Sequence, residues 1–349
     1  MIRSMFAAVA GLRVHQNRLD VVSNNIANVN TYGFKPGLVS FKESIYQNTY
    51  NSGGGNNVYG GQNPSQVGYG AQLAGITLDF GQGSYEPTGR GLDCMINGTG
   101  FFLVGPKNLG ADDGSGIINI APGSQEGGAN GENVNTSGLS ALSLTRVGRF
   151  FIDGDGYLVD ENRNVVYGFY QKDGINHPAT GTEKFEAKTG VLVPLRVPAL
   201  SVETGGGGTT TPGTPGTPGT NDKNEIHADT ERLILEGISI DPNGVITGTS
   251  GKTIYSFGQV AVCNVPNQEA LEKVGDSYYK IKGNTGTCGG YVPGEGSTGD
   301  LVTNALEMSK TDLAQEITNM IIAERGLQAN SKMITVSDEV LQELISMKR

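Results

Sequence analysis

Both ends of this 349-residue chain carry an apolar residue at every seventh position, the pattern of helices that pack against a partner along their length. A second, more polar seam accompanies each repeat. The two ends therefore predict two long helices that each require a helical partner. The apolar positions are Met5, Leu12, Leu19 and Ile26, joined by Val9 in the second seam, and Leu313, Met320, Leu327, Ile334 and Leu341, joined by Ile317 in the second seam.

The two terminal helices are most simply paired with each other, which would bring the N- and C-termini together in one helical domain. In the alternative, each helix pairs with another copy of the chain. The second seams contain Gln16, Ser23, Glu324, Ser331 and Asp338, and polar seam residues cost stability while they fix register. An isolated hairpin of this polarity is marginal in water. We therefore expect the pair to become ordered mainly when neighbouring copies bury it.

Glycines interrupt both predicted helices, at Gly11 and Gly326. A glycine inside a helix costs about 1 kcal/mol relative to alanine. That cost is recovered only where a neighbouring helix approaches closely, whereas a local kink or a frayed end is the alternative interpretation.

The C-terminal helix has a recognisable start. Ser309 and Asp312 form an N-cap signature, and Lys348 and Arg349 at the other end suit the helix dipole. The helix is expected to span roughly 40 residues, or about 60 Å at the standard rise. A helix of that length is too long to pack inside one globular domain.

Between the terminal helices the pattern changes to short strands. Runs such as FFLVG at 101–105 and GISIDPNGVITGTS at 237–250 are rich in β-branched and aromatic residues and are punctuated by Asp-Gly and Asn-Gly turns. Glycine, with 54 residues, has about twice its usual share. The predicted fold class is thus α+β, mainly β, with paired N- and C-terminal coiled-coil-like helices. A Thr/Pro/Gly tract at 205–220 predicts an exposed loop.

Charge and cysteine content argue against several classes of partner. The net charge of −10 and a pI near 4.9 disfavour nucleic acid and anionic membrane surfaces, and no apolar run is long enough to predict membrane insertion. Cys94, Cys263 and Cys288 are an odd number without CxxC spacing, so neither a zinc site nor a disulfide framework is indicated. No cofactor is expected.

The search for catalytic chemistry is negative. His15, His177 and His227 are far apart in the chain, and none neighbours a cluster that predicts a triad or a metal site. The segment DGDGYLVDE at 153–161 lacks the EF-hand ligand order and predicts a β-hairpin turn. We therefore expect no enzyme, no metal site and no catalytic residues.

The segment SNNIANVNTYGFK at 23–35 places several amide side chains at the end of the first helix. Asparagine is a poor helix former but a good helix-end residue with both donors and acceptors, and Gly33 suits a left-handed turn. We hypothesise that Asn24, Asn25 and Asn28 bond neighbouring helices, while residues 30 to 34, ending in Phe34, redirect the chain towards the β body. In the alternative, they merely tolerate solvent at a fraying end.

Four stretches resemble the signature regions of bacterial flagellar axial proteins, the rod and hook family. The resemblance covers both termini and most of the β body, and the four motifs stand in the family's order. Three segments, AGITLDF at 74–80, 258–275 and parts of the last 45 residues, resemble hook subunits more than rod subunits. The four stretches are SNNIANVNTYGFK at 23–35, TGRGLDCMINGTGFFLV at 88–104, LTRVGRFFIDGDGYLVD at 144–160 and the segment 305–349 that begins ALEMSKTDLAQE.

The resemblance implies a layered domain organisation. Residues 1–35 and 305–349 would form a helical inner domain, and 36–172 with 253–304 a β-rich middle domain that includes an extended segment at 36–70. Residues 173–252 would form an outer β domain inserted in the middle one. The extended segment is longer than in many hook proteins and resembles the distal rod protein.

The resemblance also implies a function. The expected role is a structural subunit of the flagellar hook that is exported unfolded through the type III apparatus and self-assembles into a curved, flexible tube, transmitting torque from rod to filament. Implied partners are identical subunits in a helical polymer and the rod, hook cap and hook–filament junction proteins. The location would be the flagellar basal body and hook, outside the cell. A distal rod protein and, from another class, a secreted Gly-rich surface adhesin are the alternatives.

Overall fold

The chain divides into two compact units, one formed by Met1–Ser84 with Met308–Arg349 and the other by Tyr85–Glu307. We call them the helical unit and the β unit. A computed structural model describes residues 2–55, 60–107, 118–119, 136–170, 179–180, 187, 191–197, 237–250, 253–286 and 288–347.

The helical unit consists of the two terminal helices and a pair of two-stranded antiparallel ladders. Strand β1 pairs with β4 from Gly37 opposite Leu78 to Glu43 opposite Ala71, with a bulge after Ser40, and β2 pairs with β3. The helices of the described chain are α1 (Ile2–Ala27), α2 (Thr136–Ala141), which belongs to the β unit, and α3 (Leu313–Met347), and the strands of the helical unit are β1 (Gly37–Glu43), β2 (Tyr46–Tyr50), β3 (Ser65–Gly68) and β4 (Ala71–Leu78).

The β unit contains the remaining strands and a short 3₁₀ turn at Gln268–Ala270. Its strands are β5 (Tyr85–Pro87), β6 (Cys94–Asn97), β7 (Phe101–Gly105), β8 (Ile118–Asn119), β9 (Ser143–Thr145), β10 (Phe151–Ile152), β11 (Leu158–Val159), β12 (Val165–Phe169), β13 (Ala179–Thr180), β14 (Val191–Pro194), β15 (Gly237–Ile240), β16 (Val245–Ser250), β17 (Thr253–Val260), β18 (Val262–Asn264), β19 (Glu272–Gly275), β20 (Tyr278–Lys280), β21 (Gly289–Tyr291), β22 (Asp300–Thr303) and β23 (Ala305–Glu307).

One large sheet organises the β unit. Its main path runs β15-β16-β17-β12-β7-β9-β20-β19, and every strand pairing within the described residues is antiparallel. Strands β6 with β22 and β5 with β23 form separate two-stranded ladders. Buried side chains from these strands and from the residues next to them make the core: Cys94, Ile96, Phe102, Val104, Phe150, Leu158, Val166, Leu195, Val197, Ile240, Ile246, Val260, Val262 and Leu301.

The predicted fold class is confirmed in its main features, a mainly β chain whose N- and C-terminal helices contact each other. The predicted hairpin is present, because Phe151 pairs with Val159 and Ile152 with Leu158 around the Asp-Gly turn. The N-cap of α3 is also present, since the Asp312 carboxylate accepts hydrogen bonds from the backbone N–H groups of Ala314 and Gln315. Lys348 and Arg349 lie outside the described residues.

The division into units differs from the domain boundaries expected from the sequence. Strands β1 to β4, within 37–78, belong to the helical unit and not to the β body, because β1 and β4 pack against α1. Strands β15 and β16 come from the segment expected as an outer domain, yet they join the same sheet as β17. Most of 173–252, including the loop at 205–220, lies outside the described residues, so a separate inserted domain stays a prediction.

A buried arginine ties the signature segments of the β unit together. Arg146, only 1% exposed, donates hydrogen bonds to the backbone carbonyls of Ile96 and Gly98 at 3.3 and 2.7 Å and pairs with the buried Glu307 carboxylate at 3.4 Å. Its guanidinium also lies 5.3 Å from the centre of the Phe101 ring. Burial lowers the pKa of Arg146, and the Glu307 charge opposes that shift. The contacts join β6 and β23 through one side chain.

We predict that Arg146→Ala destabilises the chain by about 3–5 kcal/mol, because it leaves the Glu307 carboxylate buried without its partner. The matched control is Arg149→Ala, which removes an exposed pair with Glu161 and should cost less than about 1 kcal/mol. Urea unfolding of both variants measures the difference. Equal losses for the two arginines would show that the buried pair has no special role.

Candidate assembly interface

Helices α1 and α3 pack antiparallel along most of the length of α1. Gly11 lies beside Asn330, His15 beside Gly326, and Asn25 beside Glu316, so residue numbers rise along one helix as they fall along the other. In this register Ile2 lies near the level of Glu339. The last turns of α3 therefore continue beyond the start of α1.

The two helices approach closely at their glycines. A Cβ built on Gly326 would lie 2.4 Å from Cε1 of His15, and one built on Gly11 would lie 2.7 Å from Nδ2 of Asn330. Real side chains do not approach so closely, so alanine at either position would require a shift. The His15 ring also meets Phe41 edge-on at 6.2 Å. Glycine thus serves at both positions to let a ring or an amide lie directly on the opposite backbone.

Asn25 links three elements of the helical unit. It is 1% exposed, its Nδ2 donates to the Gly37 carbonyl at 2.9 Å and to Oε1 of Glu316 at 3.3 Å, and its Oδ1 accepts from the Gly37 N–H at 2.9 Å. One amide therefore hydrogen-bonds both the backbone at the start of β1 and a carboxylate in the first turn of α3. Arg18 makes a second link, donating to Oδ1 of Asn319 at 3.0 Å.

The other predicted asparagines bond within their own turn. Asn28 donates to the carbonyl and to Oδ1 of Asn24, both at 2.9 Å, and its Oδ1 accepts a hydrogen bond from the Thr31 hydroxyl. In the single chain Asn25 therefore bonds α3, while Asn24 and Asn28 close the end of α1. A bond from either to another copy stays a prediction.

The chain turns into the sheet where the sequence predicted. Gly33 has φ of 65°, the left-handed conformation, and Phe34 is buried. Lys35 is also buried, and its Nζ donates to the Gly81 carbonyl at 2.8 Å. The segment therefore anchors the α1–β1 junction.

The apolar repeat of α1 does not form the centre of the contact with α3. Met5, Leu12, Leu19 and Ile26 are half-buried, and Val9 is 40% exposed. The contacts with α3 instead involve Gly11, His15, Arg18 and Asn25, one position before the repeat, with Ala8 and Val22 buried in the same row. Small residues permit the close approach, so the larger apolar side chains are displaced to its flank.

The same displacement occurs on α3. Met320, Leu327, Ile334 and Leu341 are half-buried, but Leu313 and Ile317 are each 45% exposed. Ile317 therefore lies outside the row that α3 buries in the single chain, and its place in a seam with another copy stays a prediction. The buried positions of that row lie one residue before the second seam, at Glu316, Ala323 and Ser337. In the sequence, small residues stand three positions apart, Ala8 with Gly11 and Ala323 with Gly326. This spacing is the signal from which the buried row could have been predicted.

Helix α3 also carries a row of apolar side chains without a cover in the single chain. They recur at three- and four-residue intervals, so they share one face of the helix, and they are between 38% and 75% exposed. We call them the C-terminal apolar stripe. Exposed apolar patches of this kind mark interaction surfaces. The stripe comprises Met333, Val336, Val340, Leu344 and Met347.

The helical unit thus pairs the two ends of the chain and leaves an apolar row of α3 exposed. Within the described residues no group of His, Cys, Asp or Glu side chains is placed to hold a metal ion. His177 and His227 lie outside those residues, and His15 lies in the helix contact. None of the described helices has the length and apolar character needed to cross a lipid bilayer.

Comparison with known proteins identifies the class further. Residues 5–35 match a family of flagella basal body rod proteins, and residues 302–347 match the C-terminal family of flagellar basal body rod FlgEFG proteins. The chain is 30% identical to the flagellar basal-body rod protein FlgG of Bacillus subtilis over 350 residues, covering all of both chains. It is 29% identical to the flagellar hook protein FlgE of Borreliella burgdorferi over 444 residues, again covering all of both chains.

A third relative, the flagellar hook protein FlgE of Escherichia coli, is 27% identical over 415 residues, with 98% of this chain and 99% of the relative covered. The family region at the N-terminus contains most of α1, and the one at the C-terminus contains all of α3. The chain belongs to the flagellar rod and hook protein family, whose members are axial structural proteins.

We predict that Gly326→Ala weakens the α1–α3 contact by about 1–2 kcal/mol, because overpacking against His15 outweighs the higher helix propensity of alanine. The control is the same substitution in a His15→Ala background, where the penalty should vanish or become a gain of up to about 1 kcal/mol. Urea unfolding followed by helical circular dichroism measures both. An equal effect of Gly326→Ala in the two backgrounds would contradict the close contact.

Proposed function

We propose that this protein is a structural subunit of the bacterial flagellar hook, where identical copies assemble into a curved, flexible tube that transmits torque from rod to filament. The observation that carries the proposal is the uncovered C-terminal apolar stripe in a chain that matches hook proteins over its whole length. Whole-chain relatives that are flagellar do not support the alternative of a surface adhesin.

Burial of the stripe supplies a driving force for assembly. Fully burying one large aliphatic side chain is worth about 1.5–3 kcal/mol, so covering the five partly exposed side chains would contribute on the order of 5 kcal/mol per subunit. Such an energy is modest for one contact, but each copy in a helical polymer has several neighbours. The single chain can therefore stay monomeric when dilute and assemble when neighbours are present.

The flanks of the intrachain contact provide further assembly positions. Met5, Leu12, Leu19 and Ile26 on α1 and Leu313 and Ile317 on α3 retain exposed apolar surface after the two helices pair. We assign these side chains to contacts with the helices of neighbouring copies. The intrachain contact and the contacts between copies then use different faces of the same helices, which combines the two pairings that the sequence left open.

The proposal includes the cellular context. The subunit would leave the cell unfolded through the flagellar type III apparatus, take its place in the basal body and hook, and meet rod, hook cap and hook–filament junction proteins at the ends of the polymer. Its role would be mechanical and not catalytic.

A distal rod subunit is the second candidate, and two observations favour it. The alignment to the Bacillus subtilis rod protein spans 350 positions, close to the 349 residues of this chain, whereas the alignments to hook proteins span 415 and 444 positions. These hook proteins therefore contain segments that this chain lacks. Strands β1 to β3 also lie in the extended segment at 36–70, whose length resembles the distal rod protein, and they form two-stranded ladders there and with β4.

We predict that a Val336→Lys/Leu344→Lys variant raises the protein concentration needed for polymerisation at least tenfold, because two ammonium groups would have to be buried. The matched control is Thr335→Lys/Gln342→Lys, which adds the same charge on the far side of the same helix segment at exposed positions. Light scattering and sedimentation measure assembly, and circular dichroism checks the fold. Equal inhibition of polymerisation by both variants would show that the stripe is not part of the assembly interface.

Electron microscopy of polymers assembled from the purified chain separates the two candidates. A hook subunit should give curved tubes with variable bending, since bending requires neighbouring copies to slide. Straight, stiff tubes would contradict the hook assignment and favour the distal rod. Either kind of tube is compatible with the stripe at the interface. The shape of the tube therefore tests the hook assignment, and the lysine variants test the stripe separately.

A further inference from the structure

Two of the three cysteines are brought together in the β unit, although they lie 25 positions apart in the sequence. Cys263 is the middle residue of β18, and Cys288 directly precedes β21. These strands are antiparallel neighbours, with Cys263 opposite Gly290 and Asn264 opposite Gly289. The ladder therefore places the two thiols at one end of the same strand pair.

The alternation of side chains puts both cysteines on one face of this ladder. Gly290, directly opposite Cys263, shares its face, and Cys288 is two residues from Gly290. Because Gly290 has no side chain, nothing from that position stands between the two thiols. Both cysteines are fully buried, so each is held within the core and not at a solvated edge.

We propose that Cys263 and Cys288 are a dithiol pair that closes to an intramolecular disulfide when the chain folds in an oxidising environment. The bond would tie β18 to the start of β21 and enclose the β19–β20 hairpin between them. The proposal concerns the β unit alone and holds for a hook or a rod subunit. Proteins outside the cytoplasm are where such bonds persist.

The thiols are chemically unequal, which suits the exchange reaction. A hydrogen bond from Cys263, together with one from Thr285, lowers the pKa of the Cys288 thiol to about 7. The same hydrogen bond and burial raise the pKa of Cys263 well above its usual value. In the paired strands Cys288 is thus the more acidic of the two thiols although its burial opposes the shift, and the thiolate is the nucleophile in thiol–disulfide exchange.

The reaction balances with a disulfide oxidant such as oxidised glutathione. The Cys288 thiolate attacks one glutathione sulfur, forming a mixed disulfide and releasing one glutathione thiolate. Cys263 then loses its proton and attacks the Cys288 sulfur, which releases the second glutathione. Two protein thiols are oxidised, one glutathione disulfide is reduced to two thiols, and the protons pass to solvent. Because both thiols are buried in the folded chain, the exchange takes place after β18 and β21 have paired and before the rest of the β unit covers the two cysteines.

Cys94 provides an internal control. It is buried in β6, which pairs with β22 and not with β18 or β21, and burial together with the Asp93 charge raises the pKa of its thiol. It should therefore remain a free thiol under conditions that oxidise the pair.

The test is to refold the full chain from denaturant in a buffer of oxidised and reduced glutathione, denature it under acid, alkylate the remaining thiols and map the peptides by mass spectrometry. The expected result is a linked peptide pair containing Cys263 and Cys288 with Cys94 alkylated. A Cys94→Ser variant should give the same crosslink, and Cys263→Ser or Cys288→Ser should abolish it. The oxidised chain should unfold at a midpoint higher by about 5 °C or more than the reduced chain.

Several outcomes would overturn the proposal. Three alkylated cysteines after oxidative refolding, a crosslink that includes Cys94, a glutathione adduct on Cys288 without closure, or disulfide-linked dimers on a non-reducing gel would each do so. The Cys263→Ser/Cys288→Ser variant separates a redox effect from a packing effect. Its unfolding midpoint must not respond to glutathione or dithiothreitol, and a response equal to that of the unsubstituted chain would contradict the assignment.

Discussion

The close antiparallel contact between α1 and α3 determines what the rest of the helical unit can do. Glycines at positions 11 and 326 let His15 and Asn330 lie against the opposite backbone, and Asn25 joins both helices to the first strand. The contact is made by small and polar side chains. The larger apolar side chains consequently remain at its flanks and on the C-terminal stripe, where the chain itself does not cover them.

Polar and apolar side chains of the helices therefore have different roles. Polar groups in the intrachain contact fix the register of the two helices, since Asn25 hydrogen-bonds the start of β1 and the first turn of α3 at the same time. Apolar groups outside it are available for association, which gains free energy in proportion to the apolar area covered. A subunit exported before it assembles would benefit from this division, because the surface that drives association is distinct from the one that sets the fold of the monomer.

The sequence allowed the terminal helices, their pairing, the cap at Asp312 and the short strands to be predicted, because each has a local signal in periodicity or turn residues. The seam between the helices was displaced by one position, since seven-residue spacing marks the largest side chains and does not show which face approaches most closely. The small residues Ala8, Gly11, Ala323 and Gly326 decide that.

Long-range features of the β unit were beyond such reasoning. The ion pair of Arg146 with Glu307 joins positions 161 residues apart, and the approach of Cys263 to Cys288 depends on the pairing of β18 with β21. Neither residue spacing nor composition carries this information. The assignment of β1 to β4 to the helical unit likewise follows from packing against α1 and not from any break in the sequence.

The most direct measurement of the central claim is amide hydrogen exchange of the same chain as dilute monomer and as polymer. If neighbouring copies cover the C-terminal apolar stripe, amides from Met333 to Met347 should exchange rapidly in the monomer and slow by orders of magnitude in the polymer, while those of the β12–β7 ladder change little. Equal protection of the stripe in both states would contradict the account, because the end of α3 would then be stable without its neighbours.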